Sequence, residues 1–317
     1  MRRKDRQDQD DRCRGALTQK RLKSIGACLV ICFIYTGSIL LPLRADSVAA
    51  EKISLWRVRS KSNVVYLLGS IHYLKPQSYP LAQEMEAAFK DAKKMIFEIN
   101  LESAEGGQAQ QLMTSKGIYT DGKTLKDHVS PATYALAEKQ LKDLGLDIQI
   151  FNQFKPWFTA LTVLALKLQA MGFDPGKGID QYFFRKAKKE KKEVEGFETL
   201  EYQFGLFDGM PERVQESLLL QTLSGGDLTE TAVDAIVEAW AAGDLQALET
   251  LLLQGLKEFP ELYQRLIVER NRAWLPRIES CLSQNENYLV VVGAGHLAGK
   301  NGLIEMLTAK GYTVEQL

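Results

Sequence analysis

Two apolar runs, each stopping at a glycine and then reaching a histidine, constrain this chain more than any other feature. Val64-Val65-Tyr66-Leu67-Leu68 runs into Gly69-Ser70-Ile71-His72, and Tyr288-Leu289-Val290-Val291-Val292 runs into Gly293-Ala294-Gly295-His296. Short continuous apolar runs bounded by turn residues predict buried strands. A strand that ends in glycine delivers its next polar side chain to the carboxyl edge of the sheet, where ligands gather in open α/β folds. The chain holds three histidines, and two of them share this context. That coincidence points to a common site.

The remaining pattern fits an α/β fold with one mixed central sheet and a large helical insertion between its two halves. Residues 53–58 and 64–68 flank the turn-rich link Ser60-Lys61-Ser62-Asn63 and predict a β-hairpin. Pro80 opens a helical pattern to about Ala92, with Met85, Ala88 and Phe89 on one face. Residues 94–99 read as a strand. A long helical middle follows, most apolar over 157–171, where Trp157 and its neighbours read as core. Residues 193–197 form a short strand, and helical spacing recurs over 211–223, 231–242 and 245–256. A helix from Pro260 to about Trp274 is expected to end or kink at Pro276. The strand 288–292, a helix over 303–309 and the apolar end Tyr312-Thr313-Val314 complete the chain.

Charge is unevenly spread, although the formal net charge is zero. Residues 1–24 hold nine Lys or Arg against four Asp, a balance of +5, which leaves −5 on the remainder. A mildly acidic body gives no electrostatic reason to expect nucleic acid. The basic run at 186–192 includes Glu190 and closes a helical pattern, so it reads as a solvated helix end. Residues 24–43 run for 20 positions without a charge, long enough to span a bilayer. Lys20, Arg21 and Lys23 upstream favour a cytoplasmic amino terminus, and Ala45 or Val48-Ala49-Ala50 offers a signal-peptidase site. The expectation is a leader plus signal peptide or signal anchor over 1–50 and one exported domain over 51–317. That body is periplasmic, or tethered to the membrane through 24–43 if the segment is not cleaved. Cys13, Cys28 and Cys32 fall in the leader region, so the body keeps only Cys281 and forms no internal disulfide.

Imidazole is the commonest neutral metal ligand and titrates near physiological pH. His72 and His296, projected from neighbouring strand ends, therefore suit a divalent metal, or one of them suits the base for an activated water. Glu98 is the natural third member. It interrupts the apolar strand Met95-Ile96-Phe97, and a buried carboxylate is costly unless a cation or metal pairs with it. Two histidines and a glutamate form a known catalytic zinc set with an open position; alternatively Glu98 takes the water's proton. Arg270, with Arg272 nearby on the helix after Pro260, suits an oxyanion or a substrate carboxylate, or else a surface ion pair. Asp180 and Glu198 can orient the histidines from behind, and Asp180 can instead cap a helix. His128 sits in a polar turn before Pro131. There is no phosphate loop, Rossmann fingerprint, His-Glu-x-x-His or Gly-x-Ser-x-Gly.

In order along the chain, Leu67-Leu68-Gly69-Ser70-Ile71-His72, Phe97-Glu98-Ile99-Asn100, Gly178-Ile179-Asp180, Gly196-Phe197-Glu198-Thr199, Glu269-Arg270-Asn271 and Gly293-Ala294-Gly295-His296 look like the motifs of the TraB/PrgY/GumN family. That family is similar to the Tiki membrane-associated metalloproteases. The resemblance covers about residues 53–317, with Ser70 where members often carry threonine. It implies a Tiki-like, erythromycin-esterase-like fold and a divalent-metal site whose roles map to His72, His296 and Glu98. By way of the Tiki proteins it implies a peptidase using manganese or cobalt. The expected function is a metal-dependent hydrolase acting on a peptide or protein outside the cytoplasm. Two alternatives stay open. The PrgY branch is associated with inhibiting a peptide pheromone, which does not require cleavage, and erythromycin esterases are attributed histidine and glutamate chemistry without a metal.

Overall fold

Six strands build one mixed sheet: β1 (Leu55–Arg59), β2 (Val64–Ser70), β3 (Lys94–Ile99), β4 (Glu193–Glu198), β5 (Tyr288–Gly293) and β6 (Val314–Gln316), in the spatial order β4-β3-β5-β2-β1-β6. In the computed structural model, which describes residues 52–104, 107–224, 229–257 and 259–317, β4, β3, β5 and β2 run parallel. β1 pairs antiparallel with β2 and with β6. The expected hairpin is β1–β2, closed where Arg59 pairs with Val64. The basic leader, the apolar segment 24–43 and the three cysteines there lie outside the described residues. Among the described residues, no helix is long and apolar enough to cross a membrane.

Two compact units make up the chain. The larger contains the sheet, with residues 52–102, 168–206 and 224–317. β5 lies between β3 and β2 and is buried from Tyr288 to Val292, which is why it reads as an unbroken apolar run. Alternate residues serve opposite faces. Val65, Leu67, Ile96, Val290 and Val292 pack with Trp274, Leu275 and Ile278 of the helix Glu269–Leu282 and with Leu303 and Leu307 of the helix Leu303–Ala309. Each such aliphatic side chain contributes roughly 1.5–3 kcal/mol by leaving water. On the other face, Phe97 meets Phe184 of the helix Ile179–Lys189 edge-on at 5.9 Å. Phe183 of that helix lies 5.6 Å from Phe89 of the helix Gln83–Asp91.

The helix expected to stop or kink at Pro276 runs on to Leu282 with Pro276 inside it. The proline removes one backbone donor, but Trp274 and Leu275 before it and Ile278, Cys281 and Leu282 after it are all buried. Packing outweighs the lost hydrogen bond. A π-helical stretch, Gln264–Val268, feeds directly into this helix.

The smaller unit comprises residues 103–167 and 207–223 and is helical. β4 lies between those two stretches in sequence, so the helical insertion comes in two pieces. Trp157 stacks on Phe207 at 5.7 Å in its core. His128 lies flat on Tyr119 at 4.2 Å and pairs through Nδ1 with Glu212 at 2.8 Å. The third histidine is thus a structural member of this unit.

Candidate active site

Four parallel strands end at one edge of the sheet. The register pairs Ser70 with Gly293 and Ile99 with Glu198. His72 follows β2, Glu98 sits near the end of β3, Glu198 closes β4, and His296 closes a short turn, Ala294–His296, after β5. Residues 26 to more than 200 positions apart in sequence therefore converge because parallel strands share a carboxyl edge.

Arg270 is the centre of what they build. It is fully buried, and each of its five N–H groups has an acceptor. Nε donates to Glu198 at 2.9 and 3.1 Å, and Nη2 donates to Glu198 Oε2 at 2.8 Å and to Glu98 Oε2 at 2.6 Å. Nη1 donates to the Leu266 carbonyl at 3.2 Å and to His296 Nε2 at 3.0 Å. The indole of Trp274 lies 4.7 Å from the guanidinium and donates through Nε1 to Glu198 at 2.9 Å. Gln203, also buried, donates to Glu198 Oε2 at 3.0 Å and reaches Glu98 Oε2 at 3.4 Å. A guanidinium so fully engaged has no N–H left for a substrate oxyanion in this arrangement. It holds Glu98 and His296 in place, while Arg272 is exposed.

Burial alone pushes the Glu98 carboxyl up, but Arg270, the two imidazoles and the Gly293 N–H at 2.7 Å together draw it down to about 2. Glu98 is a carboxylate throughout the neutral range. His296 goes the other way from a free imidazole: burial and then Arg270 lower it to about 3. Its tautomer follows from the amide beside it. Asn271 spends its NH2 on the carbonyls of His296 and Asn301 at 3.0 and 2.7 Å, so its Oδ1 accepts from His296 Nδ1 at 2.7 Å. His296 is therefore neutral, with the lone pair on Nε2 facing Arg270.

His72 is arranged differently. Its Nδ1 donates to Asp180 Oδ1 at 2.9 Å, and Ser70 Oγ donates to the same oxygen at 2.9 Å. Asp180 lies in the first turn of Ile179–Lys189 but does not cap it; the capping position belongs to Gly178. Burial lowers the His72 imidazole, yet Asp180 and Glu98 outweigh it, so the net shift is upward. Its Nε2 has no hydrogen-bond partner among the described residues. A Cβ placed on Gly293 would lie 3.1 Å from Glu98 Oε1 and 3.8 Å from His72 Nε2. Both atoms border the space that the absent side chain leaves.

The donor types suit a divalent ion, and a histidine that gives its other N–H to a carboxylate is a common metal ligand. The arrangement does not suit one with three protein ligands. His296 Nε2 and Glu98 Oε2 are both engaged by Arg270, and His296 Nε2 stands 3.8 Å from Glu98 Oε1. Among the described residues, no group of three His, Cys, Asp or Glu side chains is arranged to hold a metal ion. Of these donors, only His72 Nε2 is left without a hydrogen bond among the described residues, since Glu98 Oε1 accepts from the Gly293 N–H at 2.7 Å.

The structure brings His72, Glu98, Asp180, Glu198, Arg270 and His296 together. Sequence reasoning gave no role to Gln203, Asn271 or Trp274. Helical spacing could have found Trp274, four residues beyond Arg270 on the same helix face. Nothing local marks Gln203, which reaches the site through the fold alone.

A sheet edge carrying this cluster defines the class. The model of the TraB/PrgY/gumN family matches residues 54–316, and the chain belongs to that family. Among its relatives is YbaP of Escherichia coli strain K12, an uncharacterized protein that is 24% identical over 242 residues, covering 76% of this chain and 87% of that protein. A metalloprotease TIKI homolog from Amphimedon queenslandica is 26% identical over 361 residues, covering 94% and 69%. Metalloprotease TIKI2 of Danio rerio is 22% identical over 302 residues, covering 79% of this chain and 58% of that protein. No solved structure matches.

Proposed function

We propose that this chain is a hydrolase of peptide or protein substrates that works outside the cytoplasm and, like the relatives named metalloproteases, depends on a divalent metal such as manganese, cobalt or zinc. The observation that carries hydrolysis is the His72–Asp180 pair beside an ionised Glu98, with His72 Nε2 bordering the space over Gly293. In its neutral form His72 accepts a water's proton at Nε2 while Asp180 fixes Nδ1–H and stabilises the imidazolium. Glu98, held by Arg270 and the Gly293 N–H, adds a fixed negative charge that favours the same imidazolium. The basic leader and the uncharged segment 24–43 support export, with the segment as a membrane tether if it is retained.

The same His72–Asp180 pair favours a second reading, hydrolysis without a metal. Turnover of a peptide library by the purified chain, with and without chelator and in the His72→Ala variant, tests both. Turnover that chelator stops supports the metal-dependent reading, and turnover that survives chelator supports the second. Peptide retained without cleavage overturns both and leaves a sequestering protein.

A further inference from the structure

Ser70 is the last residue of β2 and is 2% exposed. Its hydroxyl reaches Asp180 Oδ1 at 2.9 Å, the same oxygen that His72 Nδ1 reaches at 2.9 Å. We infer that Ser70 is a positioning residue: its hydroxyl pins the Asp180 carboxylate from a second direction, so that Oδ1 meets His72 in one fixed orientation. This rests on the reading in which His72 takes the proton of a water.

Backbone contacts bring the two segments together and leave one freedom to settle. The Ile179 N–H donates to the Ile71 carbonyl at 3.0 Å, and Leu74 and Asp174 exchange both backbone hydrogen bonds, at 3.3 and 2.9 Å. A Cβ on Gly178 would stand 2.3 Å from the His72 carbonyl oxygen, so only glycine allows this approach. The main chain therefore places Asp180 beside His72 without help from Ser70. It does not fix the carboxylate's last torsion, which is broad and roughly two-fold in aspartate. With the imidazole as the sole donor to Oδ1, the carboxylate could turn and offer either oxygen, and His72 would lose the fixed partner that holds its proton on Nδ1. The second donor removes that choice. The geometry is not that of a nucleophilic serine, whose hydroxyl is bonded to the imidazole of its base; here the serine and the imidazole both donate to one carboxylate oxygen.

The test compares the full chain in wild type, Ser70→Ala and Ser70→Thr by two readouts. In 15N-histidine spectra, with three histidines to assign, the Nδ1–H of His72 should be hydrogen-bonded and slow to exchange with solvent in wild type. Ser70→Ala should speed that exchange about tenfold, the order expected from one charge-assisted hydrogen bond, and Ser70→Thr should restore it. Threonine keeps the hydroxyl, and its methyl has room because the cross-strand neighbour of Ser70 is Gly293. In peptide hydrolysis, Ser70→Ala should lower kcat about tenfold with KM held within about twofold, and threonine should recover it. Unchanged exchange in Ser70→Ala overturns the inference, as does a loss in Ser70→Thr as deep as that in Ser70→Ala. If Ser70→Ala loses its cooperative melt, Ser70→Cys takes its place, because a thiol fills the position but is a weak donor. Absent hydrolysis in every form, wild type included, sinks the functional reading alone, and the exchange rates still decide whether Ser70 holds the pair.

Discussion

Replacing His296 by glutamine should flatten the acid side of the stability profile, and the size of the effect follows from the hydrogen bonds. His296 is buried and neutral, giving Nδ1–H to Asn271 and taking an N–H from Arg270, and it is held at about 3 against the usual 6.5. Between those values the unfolded chain binds a proton at this position and the folded chain does not. Stability is therefore present above pH 6.5 and drains away as pH falls toward 3. From pH 6.5 to 4.5, at 1.36 kcal/mol for each pH unit, this group alone removes about 2 kcal/mol. His72 works in the opposite sense, because its raised value adds stability that is present in acid and lost as pH rises through the folded value. That contribution changes little below about pH 5.5, and Glu98 adds its own acid loss only below about 4.5. Glutamine does not titrate and can still accept from Arg270. Urea midpoints of wild type and His296→Gln at closely spaced pH give the difference directly, with distant groups cancelling. The wild-type advantage should shrink by about 2 kcal/mol across the window. Parallel curves, or a gap that widens in acid, would refute a neutral His296 held by Arg270.

Three further outcomes follow from the same geometry. Gly293→Ala is compatible with the local backbone (φ −50°, ψ 136°) but fills the space between Glu98 Oε1 and His72 Nε2; it should cost about 1 kcal/mol in a melt while turnover drops about tenfold or more, and unchanged turnover would place the substrate elsewhere. Glu98→Gln removes the charge paired with buried Arg270, so unfolding experiments should show a loss of about 3 kcal/mol, with a loss under about 0.5 kcal/mol showing that Glu198 alone satisfies the guanidinium. Asp180→Asn removes the largest upward influence on His72, so an NMR titration of that ring should show a lower midpoint than wild type, and an equal or higher one would remove Asp180 from its role.

How much of this was legible depended on whether a residue's role is local. β5 could be read because a strand between two neighbours is buried on both faces and must be apolar throughout. The hairpin could be read because its turn residues adjoin both strands. Glu98 stood out as a carboxylate within an apolar strand, which needs a partner. That the partner is Arg270 was not legible, because 172 positions separate them and no helical spacing encodes which strand end a helix crosses. Arg270 looked as suited to a surface ion pair as to a substrate. That the helix does not end at Pro276 was illegible for the same reason: local propensity records the missing donor, and only the assembled core records Ile278, Cys281 and Leu282 on the far side. The division of the helical insertion by β4 depended on a short strand that pairs parallel with β3, a long-range contact of the same kind.

The cost of the cluster bears on its purpose. Glu98, Glu198, Arg270, His296, Asn271 and Gln203 all lie in or against the core beneath the sheet edge, hydrogen-bonded to one another, with Gln203 Oε1 left without a partner among the described residues. Desolvating two carboxylates and a guanidinium costs several kcal/mol per ion, and apolar residues of similar volume commonly serve stability as well or better. A fold selected for stability alone has no use for charges at this position. What they provide is a rigid carboxylate, a neutral imidazole and a bound cation beside a second imidazole with a free nitrogen. The acid lability expected of His296 has the same origin: the burial and the arginine that keep it neutral are the contacts that make the folded state give way when it must accept a proton.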